Sequence, residues 1–103
     1  MFCHVNANLI HCLGYELVKA NSVCAGPYIP LRCVESEFDC AVICQGNAHV
    51  FVYGQSCNDG NKYKCRCEIQ ATENMTCSTV DDYGFNLYKY HESRLSIYEA
   101  DPG

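Results

Sequence analysis

Ser36-Glu37-Phe38-Asp39-Cys40-Ala41-Val42-Ile43-Cys44-Gln45-Gly46 and Tyr63-Lys64-Cys65-Arg66-Cys67-Glu68-Ile69 are the two segments that decide how this chain folds. The first reads as a helix, with Ser36 as N-cap, Asp39 at the third helical position and Gly46 able to close the end. Residues i and i+4 of a helix share a face about 6 Å apart along the axis, so Cys40 and Cys44 point the same way. The second segment alternates apolar and charged residues with period two and reads as a strand. Residues i and i+2 of a strand also share a face, roughly 6.6 Å apart, which puts Cys65 and Cys67 on one side. Two sulfurs on a short helix and two on a strand thus stand at nearly equal pitch. A helix over residues 37–45 laid along that strand can be bolted to it twice.

The whole chain has 103 residues, ten of them cysteine, and a formal net charge of −5. Such a length makes one domain with a modest apolar core, and such a cysteine density belongs to disulfide scaffolds. The even count lets Cys3, Cys12, Cys24, Cys33, Cys40, Cys44, Cys57, Cys65, Cys67 and Cys77 all pair. Ten cysteines allow about 945 connectivities (105 for eight, times nine), and composition does not choose among them. Disulfides persist in oxidising compartments, so the expected location is extracellular, after secretion. Zinc is the competing account of the cysteines, with Cys3-His4, His11-Cys12 and the Cys40/Cys44 pair with Cys65 and Cys67 as conceivable ligands. Cys-x-Cys fits the usual C-x2-4-C knuckle poorly, and no metal or cofactor is expected.

An acidic chain lacks the basic footprint of nucleic-acid binders and the Lys/Arg density that draws peptides onto anionic membranes. Its apolar runs break well before the ~18 residues of a spanning helix, so no membrane insertion is expected. Met1 to Leu13 has no basic n-region and already carries Cys3 and Cys12. It reads as the start of a mature chain behind an added Met, not as a signal peptide. Asn74-Met75-Thr76 is an N-glycosylation sequon and suits a surface loop. Lys62, Lys64 and Arg66 fall on the face of their strand opposite the cysteines, as a solvated basic stripe or as partner contacts.

Elsewhere the pattern is coarser. Phe2, Val5, Leu9 and Ile10 suggest a short strand or turn, and Tyr15 to Val18 another strand, with a helical turn over Glu16 to Val23 as the alternative. Gly26-Pro27 and Pro30 mark a loop. His49 to Tyr53 is β-branched and aromatic. With the turn Asn58-Asp59-Gly60-Asn61 and the strand Lys62 to Ile69 it makes a hairpin. A polar loop over Ala71 to Thr79 leads to a strand over Tyr83 to Tyr90, then Leu95 to Tyr98 packs after it and Glu99 to Gly103 frays. The expected fold class is a small disulfide-rich α+β domain over residues 1–103: an antiparallel sheet, one short helix on one face, five disulfides.

No residue pattern here supports catalysis. His49 opens a strand with no acid or nucleophile beside it, and Asp81-Asp82 point to opposite faces of extended chain. There is no phosphate-cradling glycine loop and no Cys-x-x-Cys redox pair. The chain therefore reads as a non-enzymatic binding protein. Tyrosine is enriched in recognition surfaces, and Tyr88 and Tyr90 share the face opposite Phe85, which makes them candidate partner contacts, with sheet packing as the alternative.

The spacing Cys33-x6-Cys40-x3-Cys44-x12-Cys57-x7-Cys65-x-Cys67 resembles the cysteine-stabilised αβ scaffold of invertebrate and plant defensins and scorpion toxins. The wiring of that scaffold implies Cys33–Cys57, Cys40–Cys65 and Cys44–Cys67, with Cys24–Cys77 as an outer tie and Cys3–Cys12 as a local one. Three further stretches are similar, in the same order, to the Diedel-like family of small ten-cysteine secreted proteins of insects and insect-infecting viruses. They are Cys40-Ala41-Val42-Ile43-Cys44-Gln45-Gly46, then Tyr53-Gly54-Gln55-Ser56-Cys57-Asn58 with Cys65-Arg66-Cys67, and Tyr83-Gly84-Phe85-Asn86-Leu87-Tyr88-Lys89. This second resemblance takes in the Tyr-rich tail, which the first does not. It implies a cytokine-like immunomodulator that suppresses insect innate immune signalling by contact with an extracellular receptor or immune factor, or a viral mimic of one. The first implies a defensin- or toxin-like effector acting on microbes or ion channels.

Overall fold

The computed structural model describes residues 2–6, 8–26, 28, 32–58, 60–69, 77–91 and 96–99. The chain runs β1 (Phe2–Asn6), β2 (Leu9–Leu13), β3 (Tyr15–Cys24), β4 (Arg32–Val34), α1 (Glu37–Cys44), β5 (Val50–Ser56), β6 (Tyr63–Glu68), β7 (Thr79–Tyr90) and β8 (Ser96–Glu99). Ser36 Oγ accepts the Asp39 N–H at 3.1 Å, and Glu37 and Asp39 place negative charge at the positive end of the helix dipole. The helix ends differently from the expectation. Gln45 closes it in the right-handed region, Gly46 takes no positive φ, and the Asn47 and Ala48 N–H groups both donate to the Cys44 carbonyl at 3.0 Å.

Five strands form an antiparallel sheet in the order β3-β7-β5-β6-β4, and three form a second, β1-β2-β8. The expected hairpin is there as β5 paired with β6, with a bulge between Gly54 and Ser56. Two sheets replace the one expected because β2 runs through Gly14 into β3, and β2 and β3 take β8 and β7 respectively as antiparallel partners. At the join the His91 N–H donates to the Gly14 carbonyl at 2.8 Å. Tyr15 to Cys24 is strand throughout, since pairing with β7 satisfies its backbone, and the helical alternative over Glu16 to Val23 does not form. β7 starts at Thr79, earlier than the expected Tyr83. Pro27, Pro30, most of the loop over 71–79 and residues 100–103 lie outside the described residues.

The helix covers one face of the larger sheet. Beneath it Phe51 stacks on Tyr88, with ring centroids 5.1 Å apart, and meets Tyr15 edge-on at 5.2 Å. Such ring pairs add about 0.5–1.5 kcal/mol beyond the area they bury. The reverse face holds a second cluster of Val23, Cys24, Val50, Val52, Phe85 and Leu87. Because β3 is not a neighbour of β5, Val23 and Cys24 reach Val50 and Val52 only if the far end of the β3–β7 ribbon folds over the sheet. Gly54 (φ 154°) of β5 and Gly84 (φ 90°) of β7 approach so closely that a Cβ on Gly54 would overlap the Gly84 carbonyl oxygen.

All ten cysteines are paired: Cys3–Cys12, Cys24–Cys77, Cys33–Cys57, Cys40–Cys65 and Cys44–Cys67. This is the wiring that the scaffold resemblance implied. Cys40–Cys65 and Cys44–Cys67 bolt α1 to β6 with Cα separations of 5.4 and 5.3 Å, within the range an unstrained bridge spans. Each disulfide contributes about 2–4 kcal/mol by constraining the unfolded chain in the loop-entropy account.

Candidate functional site

Tyr88 and Tyr90 do face away from Phe85, but that face is roofed by α1. Tyr90 is 1% exposed and its hydroxyl donates to the Ala41 carbonyl; Tyr88 is 8% exposed and donates to Glu37 Oε2 at 2.7 Å. Burial raises both phenols above their ordinary pKa, and beside Tyr88 the Glu37 carboxylate raises it further. The two side chains dock the helix, so the expectation that they contact a partner is corrected. Alternation assigns residues to opposite faces, but both faces of this stretch are covered.

The basic stripe is corrected at Arg66, which is 9% exposed. Its Nη2 donates to the Cys24 carbonyl at 3.1 Å and its guanidinium lies 3.5 Å over the Tyr28 ring. Nε meets Glu68 Oε1 as an ion pair, without the alignment of a hydrogen bond. Glu68 is wholly buried; burial pushes its carboxyl up to about 7, and the Arg66 charge opposes that rise. Arg66 is thus a clamp holding the segment after β3 to the reverse face. Lys64 is half-buried and donates to Gln55 Oε1 at 3.3 Å, and Lys62 is half-buried.

The sulfurs of Cys40, Cys44 and Cys65 lie within 4.8 Å of one another. Bound in disulfides, they carry no thiolate to offer a metal. His49 is partly exposed and lines a shallow hollow at the end of α1 with Gln45, Gly46, Asn47 and Ala48. Asn74 lies outside the described residues.

The surface that sequence reasoning missed is on the β3–β7 ribbon. Leu17 and Val18 on β3 and Val80 and Tyr83 on β7 are exposed, Tyr83 to 86%. The register of the two strands passes from Ala20↔Asn86 to Ser22↔Asp81, so Asn21 alone opposes residues 82–85, an extended bulge that forms an exposed arch at Tyr83 while Phe85 stays buried and pairs with Gly54. The arch is pinned on both sides. Asn21 Oδ1 accepts the Gly84 N–H at 3.0 Å, and the Asn21 N–H donates to Asn86 Oδ1 at 3.3 Å. Gln55 Nε2 donates to the Tyr83 carbonyl at 2.7 Å and to Asp82 Oδ1 at 3.3 Å. The Tyr83 side chain therefore projects from a held backbone. The one sequence signal for it was the run Asp81-Asp82-Tyr83-Gly84, acidic and glycine-ended, in which Tyr83 read as an ordinary first strand residue.

Compared with known proteins, the chain matches no family model, no curated protein and no solved structure. Two antiparallel sheets, one helix among the described residues and the cross-links define the class, a small disulfide-rich α+β protein. Among the described residues no helix is long and apolar enough to cross a membrane.

Proposed function

We propose that this chain is a secreted, cytokine-like binding module that suppresses insect innate immune signalling by contact with an extracellular protein, acting as a host factor or as a viral mimic of one. One observation carries the binding reading: exposed Leu17, Val18, Val80 and Tyr83 lie on one ribbon, and the backbone at Tyr83 is held in place. Aromatic and aliphatic side chains presented on a preorganised backbone lose little entropy on contact. Five disulfides in so small a chain support an extracellular setting. The resemblance to the Diedel-like family supports the immune direction.

Purified oxidised protein added to immune-stimulated insect cells lowers antimicrobial-peptide gene output, and a Leu17→Asp/Tyr83→Asp variant that keeps its disulfides loses the effect. Unchanged output with the parent protein overturns the proposal. The helix-to-strand wiring favours a second reading, a direct effector on microbes or channels. It predicts killing or current block by the pure protein in the absence of host cells.

A further inference from the structure

We propose that Tyr83 is a tyrosine O-sulfation site, accepting a sulfuryl group from a 3′-phosphoadenylyl sulfate donor in the secretory pathway. Its occurrence in the cell rests on the extracellular reading above; its chemistry does not. A transferase must surround a phenol oxygen and align it with the donor sulfur, so the ring has to stand clear of its own protein. Tyr83 does so where the bulge of β7 leaves it 86% exposed, on a backbone held by Gln55 and Asn21. An enzyme that binds a polyanionic donor presents a positive cleft, which attracts an acceptor flanked by carboxylates. Asp81 and Asp82 directly precede Tyr83, and Gly84, without a side chain, follows it.

Among the tyrosines whose side-chain exposure the structure describes, the others fail one requirement or another. Tyr15, Tyr88 and Tyr90 are buried. Tyr53 is half-buried, with its ring 5.7 Å from that of Tyr63. Tyr63 is exposed but sits between Lys62 and Lys64, and Tyr28 lies under the Arg66 guanidinium. In the transfer, the Tyr83 phenol oxygen forms a bond to sulfur while the bond from sulfur to the bridging phosphate oxygen of the donor breaks. The phenol proton passes to the enzyme's base, adenosine 3′,5′-bisphosphate leaves, and no atom changes oxidation state. The product carries a fixed negative charge beside two carboxylates, which suits the arch to a partner rich in Arg and Lys.

The test incubates the folded, oxidised chain with a tyrosylprotein sulfotransferase and its donor. The expected result is one SO3 per chain, mapped to Tyr83, and none on Tyr83→Phe. Asp81→Asn/Asp82→Asn, which keeps an amide oxygen to accept from Gln55, lowers kcat/KM by about tenfold or more. No incorporation, incorporation at another tyrosine, or an Asn variant modified as fast as the parent overturns the proposal. In a second arm, protein recovered oxidised from the medium of secreting insect cells carries the same adduct and keeps it under phosphatase. Loss of the adduct to phosphatase, or oxidised secreted protein without it, overturns the site alone. Chain retained in cells with free thiols instead overturns the extracellular reading.

Discussion

Tyr83 and Tyr88 lie on the same strand, yet one is 86% exposed and the other 8%. The difference comes from what flanks each half of β7. The second half is paired on both edges, by β3 and β5, and roofed by a helix bolted down through two disulfides. At the first half β5 has already parted, and the ribbon bulges where a single β3 residue opposes four of β7. Residue type sets what a side chain can contribute; the number of neighbouring layers sets whether it contributes to the core or to the surface.

The largest expected effect breaks the roofed half. Cys40→Ala with Cys65→Ala removes one staple and lowers unfolding free energy by about 2–5 kcal/mol in urea titration, after which Tyr88 becomes reactive to aqueous iodination. Next comes the crossing of β5 and β7. Gly54→Ala sets a Cβ against the Gly84 carbonyl at positive φ and costs more than about 1 kcal/mol by the same titration. A matched pair then sharpens the contrast. Tyr88→Phe loses the bond to Glu37 and costs about 0.5–1.5 kcal/mol. Tyr83→Phe stays within about 0.5 kcal/mol of the parent, because that hydroxyl meets solvent.

A further effect belongs to the reverse face and is read as a slope. The Glu68 carboxyl titrates near 7 in the folded chain, above its ordinary value of 4.5, so the folded state binds the proton more tightly than the unfolded one. Its contribution to stability is fully present below the unfolded pKa and is lost as pH rises through the folded one. Urea midpoints compared at about pH 5 and about pH 8 therefore fall with rising pH in the parent, and fall less in Glu68→Gln.

Much of the roofed half was legible in the sequence. The equal pitch of Cys40/Cys44 and Cys65/Cys67, the Ser36 cap and the β5–β6 hairpin are local patterns, and the structure keeps all three. The role of Tyr88 and Tyr90 was not, because period two gives a face without saying what covers it. Arg66 read as a surface residue since its partners, Cys24 and Tyr28, are remote in sequence and meet it only once the ribbon folds over. The arch at Tyr83 depends on the register between β3 and β7 and on left-handed Asn21 (φ 52°), neither of which composition encodes.

The order of the cross-links along the chain has a consequence for proteolysis. Cys24–Cys77 spans 53 residues and encloses Cys33–Cys57, Cys40–Cys65 and Cys44–Cys67. A single nick anywhere between residues 24 and 77 leaves both fragments tethered, so the particle keeps its mass until a reductant arrives. A nick between Cys12 and Cys24, or beyond Cys77, severs a piece outright. The segments that a protease can detach in one step are thus β1 and β2 with part of β3, and β8 with part of β7, so either cut falls on or beside a strand that carries exposed side chains.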